Sequence, residues 1–240
     1  MMKLSAKHTK RAAYVGYLTQ AIVINFFPLL FITFQKDYTL SLSHISLIIA
    51  VCFATQLLTD AFAAKFSAKM PLRASVVTAH LLAVVGMIGL GVLPLLMPPL
   101  IGILIGVILA AIGGGLIEVL ISPIVEACPT DGKSAAMSLL HSFYSWGLAA
   151  VVLLSTLFFR LWGIGHWHIL SCLWALIPAV GAVAFCFVPI YKLDSETAEP
   201  SAHTNTSPHA RSLLRSAIFW VSWQTVVRRG TINLPMEIPS

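Results

Sequence analysis

PPLIGILIGVILAAIGGGLIEVLISPIVEA, residues 98–127, holds one acid, Glu118, deep inside an apolar run, and a second, Glu126, at its end. At 1.5 Å of rise per residue, about 20 such residues cross a hydrocarbon layer roughly 30 Å thick. Lipid supplies no hydrogen-bond partners to a backbone, so the stretch is a helix. Five more apolar segments of similar length occupy 12–34, 43–64, 74–96, 134–159 and 167–191. The fold class that follows is all-α: a polytopic transmembrane bundle of six spans, whose solvent partner is the lipid bilayer.

Composition agrees. The chain is 58% hydrophobic and 10% charged, with mean hydropathy +0.89, whereas soluble domains carry about 25% charged residues. The net charge of +6 is placed asymmetrically. Lys3, Lys7, Lys10 and Arg11 precede the first segment, Lys65, Lys69 and Arg73 join the second to the third, and Lys133 joins the fourth to the fifth; the alternate loops hold only Lys36 and Arg160. This is a membrane-topology pattern that puts the N-terminus in the cytoplasm, and it argues against nucleic acid as a partner. A bacterial inner membrane is the expected location. Cys52, Cys128, Cys172 and Cys186 form no C-x-x-C pair and read as small packing residues. No P-loop, nucleophile elbow, zinc motif or nucleotide fingerprint occurs, so neither a cofactor nor a metal is expected, and the chain does not read as an enzyme.

The organisation along the chain is a tail over 1–11, the bundle over 12–191, a polar Ser-, Thr- and Pro-rich cytoplasmic linker over 192–210, and a partial seventh helix with an irregular tail over 211–240. The seventh apolar run is interrupted by Gln224, Arg228 and Arg229. Gly102, Gly106, Ala110 and Gly114 recur every four residues, a spacing that lets helices approach closely in lipid. Gly113, Gly114 and Gly115 together exceed that need and mark a flexible or closely approached point before Glu118. Pro28 and Pro123 interrupt the first and fourth helices at places related by inversion, as at transporter binding sites, although proline is common in membrane helices and a simple kink is the other reading.

Polar residues inside the spans are the functional candidates. Burial favours the neutral form of a carboxyl, and one poised between two forms can carry a proton. Glu118 is therefore the proton-coupling candidate; its other reading is a structural acid bonded to a neighbouring helix. His141 lies at the same depth, roughly 12–14 Å by helical rise, and is either its proton-sharing partner or bonded to backbone or water. Gln20, Asn25 and Gln56 both donate and accept, which suits sugar hydroxyls, though amides also glue helices together. Tyr144 and Trp146, in LHSFYSWG (140–147), would stack on a sugar ring; their other reading is as lipid-facing aromatics, which their position inside the span disfavours. Asp60, Lys69, Arg73 and Glu126, placed near one membrane surface, suit gating.

On these residues the chain resembles the major facilitator superfamily. Six spans, a cytoplasmic N-terminus and a polar linker look like the first half of such a transporter. AKFSAKMPLR (64–73) stands where that superfamily has G-x-x-x-D-R-x-G-R-R, with Lys69 and Arg73 matching its basic positions, Ala68 replacing the acid and Pro71 the second glycine. Glu118 followed by Pro123 is similar to the fourth helix of the fucose permease group of sugar–proton symporters, although the first helix here has Ile24 and Asn25 where the fucose member has an acid. The resemblance implies twelve helices with substrate held between two halves, a role for Glu118 in substrate binding and proton coupling, and either a missing C-terminal half or a homodimer. It also implies that roughly the last 20 residues, ending in GTINLPMEIPS (230–240), are foreign to a transporter, as in a truncated or frameshifted reading frame that leaves a non-transporting remnant or scaffold.

Overall fold

The computed structural model describes residues 5–66, 70–130 and 132–191. The linker over 192–210, the partial seventh helix over 211–240, Lys3 and Lys69 lie outside the described residues. The described part contains six helical spans: α1 (Ala6–Asp37), α2 (Leu42–Phe66), α3 (Leu72–Leu96), α4 (Pro99–Glu126), α5 (Lys133–Trp162) and α6 (Ile164–Phe187). The number and class of elements match the sequence expectation. The first helix, however, begins at Ala6, so Lys7, Lys10 and Arg11 ride on α1 and not on a tail.

Proline explains the irregularities, since it lacks an N–H and clashes with the preceding turn. Pro28 sits in a 3-10 turn, Phe27–Leu30, that divides α1. Pro123 lies inside α4, one turn before its end, and deprives the Val119 carbonyl of its usual donor. Two more helix-interior prolines were not singled out in the sequence: Pro94 near the end of α3, and Pro178, just after Ala175, where α6 breaks into Trp167–Trp174 and Leu176–Phe187.

α4 is the hub. It packs against α1, α2, α3 and α5, while α6 lies against α3 and α1. Glycine makes these contacts possible. A Cβ on Gly102 or Gly106 would meet the α3 backbone at 2.7 Å and 2.6 Å. The three consecutive glycines each admit a different neighbour: a Cβ on Gly113 would stand 2.6 Å from α3 backbone, one on Gly114 3.3 Å from Val23 of α1, and one on Gly115 2.7 Å from Asp60 of α2. The small-residue stripe therefore runs on to Gly113 instead of Gly114, because 3.6 residues per turn drifts off a strict four-residue repeat.

Side chains fasten the ends. Arg73 Nη1 donates to the carbonyls of Phe185 and Cys186, both at 2.8 Å, and Nη2 to Val188 at 2.9 Å. A cation here satisfies the orphan carbonyls at the end of α6. Thr9 donates to Pro189 O at 2.6 Å. At the opposite end, Ser171 donates to Met87 O at 2.6 Å, and His168 Nδ1 lies 2.9 Å from Gly91 O. His168 thus staples α6 to α3.

The apolar core forms two clusters, one around Phe26, Phe34, Ile48, Met87, Ile103 and Trp167, the other around Tyr17, Ile117, Ile121, Leu140 and Phe185. On α1 the division falls at Gln20, and on α4 it falls at the three glycines. A polar level thus crosses the middle of the bundle.

Candidate functional site

That polar level opens into a cavity of about 540 Å³. α1 contributes Tyr17, Gln20 and Ile24; α2 contributes Phe53, Gln56, Leu57 and Asp60; α4 contributes Glu118; α5 contributes His141 and Tyr144. Each set follows helical spacing: 17, 20 and 24 share a face, as do 53, 56, 57 and 60. Among the described residues lining the cavity there is no lysine or arginine.

Glu118 projects into this cavity. Its Oε2 accepts from the side-chain nitrogen of Gln20, and from that of Gln56 at 3.0 Å. Gln20 is buried on α1, so three helices meet at one carboxyl oxygen. Hydrogen bonds to a charged acceptor contribute about 1.5–3 kcal/mol each. Two of them offset an insertion cost of about 2.5–3.5 kcal/mol for an acid at mid-membrane.

His141 shares the cavity but makes no hydrogen bond to Glu118. Its ring stands edge-on to Tyr17, with centroids 5.4 Å apart. The Tyr17 hydroxyl bonds Ser122 Oγ at 2.7 Å. Asn25 Nδ2 donates to Ala21 O in its own helix at 2.8 Å and reaches the Tyr144 hydroxyl at 3.5 Å.

Several sequence expectations are displaced. Asp60 lines the cavity and is not confined to a surface gate. Trp146 is 58% exposed and packs on Phe143, away from the cavity; five residues beyond His141, it points some 140° round the helix at about 100° per residue. Arg73 fastens α3 to α6, and Glu126 marks the end of α4. A further polar side chain of the bundle, His80 of α3, is fully buried, with Nδ1 2.8 Å from Val76 O, and packs against Phe185 of α6. Tyr17, Ile24, Phe53 and Leu57 were missed; the signal was their helical phase with Gln20 and Gln56. Among the described residues no group of His, Cys, Asp and Glu could hold a metal ion, and the four cysteines are free.

A family model described as Major Facilitator Superfamily matches residues 13–232. The chain belongs to the major facilitator superfamily. The superfamily is one of transporters, and the six described helices, each long and apolar enough to cross a membrane, fit an integral, multi-pass fold. No curated protein matches the chain. Among solved structures it is similar to the peptide transporter POT in a glutamate-to-glutamine mutant form. The complex of that protein with sulfate gives a TM-score of 0.56 at 16% identity, covering 98% of this chain and 46% of the transporter. The complex with alafosfalin gives 0.53 at 16% identity, covering 97% and 45%. The chain therefore spans less than half the length of the solved transporters it matches. At this identity the likeness establishes the fold alone.

Proposed function

We propose that this major facilitator chain acts as the N-terminal half of a proton-coupled transporter for a small polar solute, with its N-terminus in the cytoplasm of a bacterial cell and its spans in the inner membrane. The observation that carries the reading is the carboxyl of Glu118, held by amides from two other helices and lining a cavity. An acid kept at mid-membrane and bonded across helices is placed to sense both solute and proton. A sugar is the solute class that the resemblance around Glu118 and Pro123 supports. Gln20, Gln56 and Tyr144 supply paired donors and acceptors of the kind sugar hydroxyls need.

The cavity would be completed by a second six-helix body, a C-terminal half or another copy, set against α2 and α5. Only 17% of the most apolar stretch of each of those two spans is buried, against 61% for α4. Rocking of the two bodies would then expose the site alternately to each side.

Uptake into vesicles tests this. The chain, reconstituted alone and then with a second half from a superfamily relative, is given radiolabelled neutral sugars under an imposed pH gradient. Gradient-driven uptake that Glu118→Gln abolishes is the expected result. Uptake indifferent to the gradient removes proton coupling, and no uptake in either arrangement favours the non-transporting scaffold.

A further inference from the structure

We propose that the coupling proton rests on Asp60 and passes from there to Glu118 in the transport cycle. Its location stands on the geometry; only its coupling role rests on the transporter reading above.

Asp60 lies one turn beyond Gln56 on the same face of α2, and both line the cavity. Its Oδ1 is sealed against α4 at Gly115, where an added Cβ would stand 2.7 Å away, and no group among the described residues donates a hydrogen bond to it. Glu118 follows Gly115 by one turn of α4. Two carboxyls therefore share one cavity whose described lining has no lysine or arginine. At low dielectric two adjacent negative charges are disfavoured, and such a pair binds one proton between its members.

Hydrogen bonding decides which member holds it. Glu118 accepts from two amides, which suits a carboxylate. The sealed Asp60 oxygen accepts from none, which suits a neutral acid. The other titratable groups facing the pair are Tyr17 from α1 and His141 and Tyr144 from α5. The Tyr17 hydroxyl is engaged by Ser122, and the His141 ring packs edge-on against Tyr17. When solute hydroxyls draw Gln20 and Gln56 away, Glu118 loses its donors. The O–H bond of Asp60 then breaks as one forms on Glu118; the charge of the pair is unchanged and no electrons leave it.

Infrared spectroscopy of the full chain in lipid vesicles at neutral pH tests the assignment without requiring transport. A protonated-carboxyl band is expected in the wild-type-minus-Asp60→Asn difference and absent from the wild-type-minus-Glu118→Gln difference. No band in either, or a band in the Glu118 difference, overturns the proposal. If Asp60→Asn does not fold, carboxyl-labelled ¹³C-aspartate in the wild-type chain must shift the band and ¹³C-glutamate must leave it in place; the reverse refutes it. Uptake is measured separately, so a band on Asp60 without transport removes the coupling role and keeps the location.

Discussion

Replacing Gln20 with Leu removes one of the two donors to Glu118 while keeping the volume of a buried side chain. Its effect on stability mixes two things, the lost bond and the altered packing, so a double-mutant cycle with Glu118→Leu is the informative design. A neutral interhelical hydrogen bond in a membrane protein contributes about 0.6 kcal/mol on average. A bond to an ionised acceptor contributes about 1.5–3 kcal/mol. The geometry places both amides on one oxygen of Glu118, the arrangement of a charged acceptor, so a coupling energy above about 1.5 kcal/mol is expected. Reversible unfolding in lipid–detergent mixtures, followed by tryptophan fluorescence, supplies the four free energies. A coupling at or below about 0.6 kcal/mol would show an ordinary amide contact and refute the view that Glu118 is held as an anion.

Other expectations follow from the same geometry. Gly106→Val should destabilise the bundle by about 1–3 kcal/mol through overpacking, because even a Cβ there meets Leu90 backbone at 2.6 Å; Gly132→Ala, whose nearest contact is 3.7 Å, should leave the melting temperature almost unchanged. Arg73→Ala removes three bonds from the end of α6 and should lose about 2 kcal/mol, with hydrogen exchange accelerating locally at Val188; uniform acceleration across all spans would contradict a local fastening role. Tyr144→Phe should weaken solute binding measured by calorimetry and Trp146→Ala should not, since only Tyr144 lines the cavity. Equal losses from the two would reopen the placement of Trp146.

The bundle was legible because membrane crossing imposes length and hydropathy on each span separately, without knowledge of partners. Glu118 was legible for the same reason: an acid in GGGLIEVLISP has no bland environment in lipid. What the sequence withheld was rotation about each helix axis. Depth alone paired His141 with Glu118, yet the amides of Gln20 and Gln56 take that place, because bonding depends on which faces meet. Depth likewise assigned Asp60 to a gate, although its spacing from Gln56 already put both on one side of α2. Trp146 failed in the opposite way: chemistry suited to a sugar was inferred from a cluster in the linear sequence, while helical phase sends Tyr144 and Trp146 in different directions. The glycine triplet signalled proximity, but only the assembled packing shows that it serves three neighbours at once.

That triplet constrains how the bundle can move. Sliding α4 by a single residue would carry Ile112 to the place of Gly113, where a Cβ meets α3 backbone at 2.6 Å, or Leu116 to the place of Gly115, where a Cβ meets Asp60 of α2 at 2.7 Å. The helix is in effect a keyed shaft. A conformational change of this chain is therefore expected to move α1 to α4 together, without slippage at the triplet.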